Sequence, residues 1–307
     1  MEGLEAANRL LAAAKEHSPC CVVRDKIFRI ALAEKNVDQL KQTADLNPQF
    51  ATWLDSDEIE TQCGTQSLGG VVLANGCQVV HVPSYLQGLW EACKELPNGD
   101  VTWSLEDLDD SQDLETRLSS FDTVVFSAGS GLFHNSILCE GGKDSSLPVD
   151  LVRGQSVEML LTESDMNDYP NEAILCGKYL APMPASNQIL IGATHEYKEQ
   201  ALDQSEVFDE LKNRSYDLSP FVWDRGSVQK VTSGYRVQSR RGNLGRMPII
   251  GQLQDCDVHS NAYLFTGLSA RGMIYHGIYG DLLSTAIANH SEDVLLENYP
   301  DVLWWKQ

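Results

Sequence analysis

Residues 262–287, AYLFTGLSARGMIYHGIYGDLLSTAI, read as an apolar strand running into Gly267, a short turn, and a helix with Ser269 as its expected N-cap. Ile274, Ile278, Leu282 and Ala286 recur at helical spacing and predict the buried face. A helix that starts directly after a buried strand offers unpaired backbone N–H groups and a partial positive charge. These suit a phosphate or an electron-rich ring oxygen. Glycines at 267, 272, 277 and 280 let another group approach the backbone closely. Tight packing of a helix on a sheet accounts for the same glycines about equally well, so the stretch indicates the fold and leaves the ligand open.

Outward from this stretch, FDTVVFSAGSG (121–131) is a second short apolar run ending in small residues, the pattern of a buried parallel strand feeding a tight loop. Between 148 and 237 the character changes. SVEMLLTE (156–163), EAILCGKYLAPM (172–183) and NQILIGAT (187–194) predict successive antiparallel strands, followed by an acidic helix near 203–218. Nearer the start, a helix is expected over 2–16 with Leu4, Ala7, Leu11 and Ala14 on one face, and another over 35–46, stopped by Asn47-Pro48. GGVVLANGCQVVHV (69–82) predicts a hairpin about Asn75-Gly76. Pro83 opens a helix with Leu86, Leu89, Trp90 and Cys93 as its apolar stripe, and the acidic run 104–122 reads as a solvated strand end plus helix.

The 307 residues suffice for two interleaved domains, and 42% hydrophobic with 22% charged residues is the balance of a folded chain. The 44 acidic against 23 basic residues give a net charge of -21, which opposes nucleic-acid backbones and anionic lipid surfaces and favours a small-molecule partner. No apolar run approaches a membrane span, and the acidic start Met-Glu-Gly-Leu-Glu lacks the basic character of a targeting segment. Eight cysteines, at 20, 21, 63, 77, 93, 139, 176 and 256, form no Cys-x-x-Cys pair. Reduced, mostly buried thiols in a cytoplasmic or similarly reducing compartment are expected, without a structural metal. His81, His134, His195, His259 and His276 show no ligand spacing and read as structural groups. The absence of a Gly-x-Ser-x-Gly elbow and of a Walker loop leaves hydrolase and NTPase readings without support.

In GYRVQSRRGNLGRMPIIGQL (234–253), Arg236 lies in a strand-like segment, where an arginine can hold a carboxylate through two parallel charge-assisted bonds or pair with a buried acid of the chain itself. Arg240, Arg241 and Arg246 read as exposed loop charges. In LPVDLVRGQSVEML (147–160), Arg153-Gly154-Gln155 reads as a turn or bulge between strands.

Taken in order, six runs resemble the glycine oxidase and D-amino-acid oxidase family of flavoproteins, including its tRNA-modifying oxidoreductase branch. They are VVHVPSYLQGLWEAC (79–93), FDTVVFSAGSG, LPVDLVRGQ (147–155), GKYLAPMPASNQILIGATHE (177–196), SGYRVQSRRGNLGRMPIIG (233–251) and LFTGLSARGMIYHGIYGDLLSTAI (264–287). The resemblance implies an α/β and α+β protein. A Rossmann-like flavin-binding domain (1–24, 76–147 and 245–307) would be interleaved with an antiparallel-sheet substrate domain (25–75 and 148–244). It implies FAD as cofactor and an amine or amino acid as substrate, with hydride passing to the flavin from the carbon that bears nitrogen. Ser127, Ala128 and Gly129 would line the nucleotide side. Gly267, Leu268, Ser269, Ala270, Gly272 and Met273 would face the ring. Arg236 matches the family's carboxylate-binding arginine, Tyr179 the tyrosine of the substrate lid, and Arg271 a second polar group near the substrate. No side chain is assigned acid–base chemistry, because positioning supplies most of the effect.

One departure accompanies the match. Members of this family begin with a strand and a Gly-x-Gly-x-x-Gly turn that grips the pyrophosphate, and that fingerprint is absent from residue 1 onward. Two expectations follow: the sequence is a piece of a longer oxidoreductase, or the chain is a catalytically silent relative that has lost tight FAD binding and serves as a small-carboxylate or protein-binding module. Either leaves a sheet edge exposed. The net charge opposes RNA contact.

Overall fold

The computed structural model describes residues 2–97, 100–106, 111–134, 147–197, 201–254, 256 and 258–306. The first part of the chain forms α1 (Glu2–His17), β1 (Val22–Arg24), β2 (Ile27–Ile30), α2 (Glu34–Leu46), β3 (Ala51–Leu54), α3 (Ser56–Cys63), β4 (Gly70–Leu73), β5 (Val79–Val80) and α4 (Val82–Lys94). The middle forms α5 (Ser111–Leu118), β6 (Val124–Phe126), α6 (Gly131–His134), β7 (Val149–Leu160), α7 (Glu163–Asp168), β8 (Ile174–Cys176), β9 (Lys178–Pro182) and β10 (Gln188–Gly192). The last part forms α8 (Gln204–Ser215), α9 (Pro220–Arg225), β11 (Ser227–Ser239), β12 (Ile249–Gln252), β13 (Ala262–Thr266), α10 (Gly272–Ala288) and α11 (Asp293–Asn298). The fold is mixed α/β.

The chain separates into two compact units, one of Met1–Leu10, Val101–Val152 and Tyr235–Gln307, the other of Leu11–Asp100 and Arg153–Gly234. This division assigns 11–24 and 76–100 to the second unit and 148–152 and 235–244 to the first, whereas the sequence reading groups them the other way. Three of the four boundaries fall inside α1, β7 and β11, which carry the chain from one unit into the other; the fourth follows Asp100.

The second unit is built on an eight-stranded sheet in the order β11-β7-β10-β9-β8-β2-β4-β3, antiparallel at its described pairings except for the parallel pair β2–β8. Strand alternation sends Phe28, Ile30, Val157, Met159, Ile174, Leu180, Ile189 and Ile191 to one face. There they pack against Val207 and Leu211 of α8 and Val222 and Trp223 of α9. Asp203 starts α8 with a full capping box to Glu206, which explains why an acidic stretch holds as a helix. On the opposite face, α2 covers the β3–β4 end through Leu40 and Ala44, packed on Ala31, Ala51 and Val71.

Three expectations are corrected in this unit. The 69–82 stretch is not a hairpin: Asn75 and Gly76 do take positive φ (53° and 122°), but β4 pairs with β2 and β3 while β5 pairs with β1. Both edges of β4 are thus occupied, and the turn delivers the chain to a different sheet. Helix α4 buries Tyr85 and Gly88, and leaves Leu86 58% exposed, because a Cβ at Gly88 would collide with the Ala14 carbonyl of α1. The close crossing of α4 and α1 at Gly88 selects the buried face. Arg153-Gly154-Gln155 lies inside the continuous strand β7 and makes no turn.

The first unit carries the three-stranded sheet β12-β13-β6, with β12–β13 antiparallel and β13–β6 parallel. One face packs Leu114, Phe126, Leu132, Ile249 and Leu264; the other packs Ile250 and Tyr263 against Tyr279, Leu283 and Ala286 of α10 and Leu295 of α11. The fully buried stripe of α10 is Tyr279, Leu283 and Ala286; of the expected face Ala286 is buried, Ile278 and Leu282 pack half-buried against the same core, and Ile274 is 46% exposed. Of the acidic run 104–122, Ser111–Leu118 is helical and 107–110 lies outside the described residues.

The described cysteines are free, but only Cys21 and Cys63 are buried, and Cys20 and Cys93 are exposed. Cys139 and the side chain of His134 lie outside the described residues. His81, His195, His259 and His276 each have a hydrogen-bond partner in Ser84, Tyr197, Phe121 and Gly272 respectively. Among the described residues no group of His, Cys, Asp and Glu could hold a metal ion, and no helix is long and apolar enough to cross a membrane.

Candidate functional site

In the first unit β6 and β13 run side by side and parallel, with Phe126 opposite Leu264. Their C-terminal ends therefore release two loops at the same edge, 127–129 after β6 and 267–271 after β13. The carboxyl edge of parallel strands is where open α/β sheets place their ligands. Ser127 and Ala128 are exposed there, and Gly129 has φ 57° with open space where a Cβ would stand.

The second loop is sharply shaped. Gly267 has φ 70°, and a Cβ would lie 3.2 Å from the backbone nitrogen of Ile249, so both conformation and space require glycine. Leu268 forms an antiparallel bridge with Gln238 of β11. Ser269 has φ 54° and donates its hydroxyl to the Gly267 carbonyl at 3.3 Å. It stands in a 3-10 turn, Ser269–Arg271, so Ser269 is not the N-cap of α10; that position is Arg271, which makes no side-chain cap. Ala270, Arg271 and Met273 are exposed, and Leu268 and Gly272 are half-buried. The first turn of α10 thus keeps its amide N–H groups without a side-chain cap beside an accessible loop.

The bridge between Gln238 and Leu268 brings β11 to this loop. Arg236 lies two residues away on the same strand face, about 7 Å along the strand. It is exposed and pairs with no acid among the described residues. Arg271 donates to the hydroxyl of Tyr275 at 2.7 Å, which holds its guanidinium against the first turn of α10. Arg246 is half-buried and donates to the Ser239 carbonyl, and so serves to fix the end of β11; Arg240 and Arg241 are the exposed loop charges.

Tyr179 belongs to the second unit. It is half-buried on β9, and its hydroxyl lies 3.1 Å from Ser156 Oγ of β7, across Gly192 of the intervening β10. The neighbouring Lys178 is buried, donates to the Ala193 carbonyl, and has its pKa lowered first by burial and then by Arg214, against the opposing pull of Glu210. Ser156 and Gly192 were not singled out from the sequence. The alternation of SVEM, with Ser156 and Glu158 on the face opposite Val157 and Met159, is the signal that marks Ser156.

These residues fit the cofactor implied by the sequence at two places. The 127–129 loop offers small, exposed backbone next to the parallel strands, and the 267–273 loop offers an uncapped helix start and a glycine-shaped approach. No Gly-x-Gly-x-x-Gly run stands among them.

The sequence matches the family described as FAD dependent oxidoreductase over residues 2–286. A comparison with curated proteins returns no match. Among solved structures the chain is similar to the glycine oxidase from Geobacillus kaustophilus, at 18% identity and a TM-score of 0.68, covering 95% of this chain and 78% of that one. It is also similar to the iminodiacetate oxidase from Chelativorans sp. BNC1 (13% identity, TM-score 0.63, 94% and 79% covered). A third is the L-proline dehydrogenase from P. horikoshii (11% identity, TM-score 0.67, 99% and 81% covered). At these identities the likeness establishes the fold. The chain belongs to the FAD dependent oxidoreductase family, whose cofactor is FAD.

Proposed function

We propose that this oxidoreductase acts on an amino acid or a closely related amine. FAD, when bound, supplies the acceptor for the hydride that leaves the carbon bearing nitrogen. In this reading Ser127, Ala128, Gly129 and the 267–273 loop of the first unit hold the flavin, and Tyr179 of the second unit is the residue proposed for the substrate lid. Arg236 takes the substrate carboxylate through two parallel N–H···O bonds, and Arg271 adds a second polar contact. The hydroxyl of Tyr179 is held by Ser156. None of these groups needs to move a proton at the reacting carbon; they bind, orient and exclude water.

The observation that carries the reading is Arg236, an exposed guanidinium without an acidic partner among the described residues, two residues from the bridge to the 268–271 loop. The similar structures are named for glycine, iminodiacetate and L-proline, and that shared kind of substrate supports it. The test is anaerobic mixing of the full chain, purified with FAD, with a panel of amino acids and their decarboxylated amines, following loss of the oxidised flavin's visible absorption. Reduction by amino acids and not by the matching amines is expected. No reduction by any of them sinks the reading, and equal reduction by both sets removes the carboxylate role of Arg236.

A further inference from the structure

Within the second unit, the turn Pro19–Cys21 between α1 and β1 meets the start of α4, and four polar side chains come together there. Cys20 is exposed on the turn. Its Sγ lies 3.7 Å from the hydroxyl of Ser18 and donates to the hydroxyl of Ser84 at 3.8 Å. Ser84 Oγ in turn lies 2.7 Å from Nδ1 of His81. The backbone fixes this spacing, because Val22 pairs with Val80 and the His81 N–H donates to the Cys21 carbonyl at 2.8 Å. A nucleophile, a hydroxyl and an imidazole thus stand in one hydrogen-bonded row.

Helix capping does not account for the row. His81 is the N-cap of α4 and Ser84 its third residue, positions whose side chains ordinarily bond the free N–H groups of the first turn. Here His81 makes no side-chain cap, and the two side chains meet each other beside the thiol instead. The adjoining acids hold their protons. Burial first, and Cys20 second, push the Cys21 thiol up against the opposing pull of Lys15, and burial raises the Tyr85 hydroxyl to about 12. Cys20 moves the other way: the Ser18 hydroxyl first, and the Ser84 hydroxyl second, lower its pKa. The turn therefore presents one activated thiol to solvent and keeps its neighbours inert.

We propose that Cys20, with Ser84 and His81 as its positioning residues, is a modification site that forms a mixed disulfide with low-molecular-weight disulfides. Ser84 passes the Cys20 proton to Nδ1 of a neutral His81, then donates its own hydroxyl to the thiolate while the imidazolium donates to Ser84. The thiolate attacks one sulfur of the small disulfide. That S–S bond breaks, a bond from Cys20 to the attacked sulfur forms, and the departing thiolate takes up the proton, so Cys20 is oxidised and the leaving thiol is reduced. Cys93 provides the contrast within the same unit: it is exposed on α4, with no side-chain hydrogen bond among the described residues.

The test is incubation of the full chain, purified with FAD, with glutathione disulfide, following the adduct at each cysteine by peptide mass spectrometry over time and from about pH 6 to about pH 9. Cys20 is expected to react about threefold to tenfold faster than Cys93 near neutral pH, the gain that extra thiolate leaves after the lower nucleophilicity of a more acidic thiol. Dithiothreitol is expected to remove the adduct. Ser84→Ala and His81→Gln are expected to slow Cys20 to the rate of Cys93 and to move the rise of its rate to higher pH, whereas Cys93→Ser leaves Cys20 unchanged. Unfolding midpoints show that the variants are folded, and Ser18→Ala, which removes the other hydroxyl, is expected to slow Cys20 in the same direction. Equal rates at Cys20 and Cys93 in the parent overturn the site. A fast Cys20 whose rate and pH profile are the same in Ser84→Ala, His81→Gln and the parent overturns the role of the row.

Discussion

The hydroxyl of Tyr179 and Oγ of Ser156 meet at 3.1 Å over Gly192, where a Cβ would collide with both hydroxyl groups. The glycine is the floor of the contact. Gly192→Ala is expected to push Tyr179 out of its present position and to cost about 1–3 kcal/mol, the range for overfilling a packed site. Tyr179→Phe removes one hydrogen bond and is expected to cost only about 0.5–1.5 kcal/mol. Urea unfolding midpoints of the two variants rank these costs, and a Gly192→Ala protein as stable as its parent contradicts the arrangement.

Two helical glycines are expected to respond to alanine with opposite signs. A Cβ at Gly88 would collide with the backbone carbonyl of Ala14, which cannot yield without moving α1 from α4. Gly88→Ala is therefore expected to destabilise by about 1–3 kcal/mol. A Cβ at Gly280, inside α10, meets nothing within 4 Å. There the gain in helix propensity is unopposed, and Gly280→Ala is expected to stabilise by about 0.5–1 kcal/mol. Thermal unfolding of both variants checks the pair, and the same sign for both refutes the packing argument.

Stability should fall in alkali. Burial first, and Glu172 second, push the Cys63 thiol up from 9.0 to about 12, and burial raises Tyr85 and Tyr169 from 10.0 to about 12. Between pH 9.0 and about 12 the unfolded chain releases the Cys63 proton while the folded chain keeps it. The unfolded state then binds fewer protons, so unfolding becomes more favourable as pH rises, by up to about 1.4 kcal/mol per pH unit for one such group. The two tyrosines add to the slope above pH 10.0. The contribution is fully present below pH 9.0. Urea midpoints measured from about pH 8 to about pH 11 should decline, and the decline should be shallower in Cys63→Ala. A flat profile over that range counters the assignment.

The strand, glycine turn and helix of 262–288 were legible because their signals are local: an apolar run, a glycine at positive φ, then helical spacing. Strand partners were not. Asn75-Gly76 has the residues of a hairpin turn, yet β4 is claimed on both edges by β2 and β3, strands whose positions depend on the whole sheet. Helix faces failed for the same reason. Leu86 and Ile274 are apolar and at the right spacing, but the face of α4 is set by Gly88 on Ala14, and the face of α10 by Tyr279 and Leu283 on Tyr263 and Ile250. Within the candidate site, Arg236 and the 267–273 loop were readable as residue types in a pattern. Ser269 was misread because the cap was inferred from its side chain, whereas its positive φ places it in the turn before the helix.

Arg236 provides the direct test of substrate recognition. Among the described residues it pairs with no acid, so Arg236→Ala should leave the unfolding midpoint within about 0.5 kcal/mol of the parent. For a carboxylate-bearing substrate kcat/KM should fall by about tenfold to a hundredfold, the scale for a lost charge-assisted pair. Arg236→Lys should recover only part of the loss, because an ammonium does not reproduce the planar fork. An unchanged kcat/KM rejects the proposed role, and a large drop in stability would mean that Arg236 serves the fold.

Arg153 and Glu196 form a buried ion pair outside the site. Both are buried, at 9% and 8% exposure, with Arg153 Nη1 3.8 Å from a Glu196 carboxylate oxygen. The carboxylate also accepts from Thr194 and from the Gln155 side chain, while the two backbones exchange hydrogen bonds at 2.9 Å. Removing one charge from such a pair leaves the other desolvated. Glu196→Ala is therefore expected to cost about 3–5 kcal/mol, far more than the pair itself contributes. Replacing both charges relieves the penalty, so Arg153→Met combined with Glu196→Leu should lie closer to the parent than Glu196→Ala does. The urea midpoints of the single and double variants decide the matter: if the double variant is as unstable as the sum of its single changes, the two residues act independently, and the Arg153-Gly154-Gln155 run does not anchor β7 through this pair.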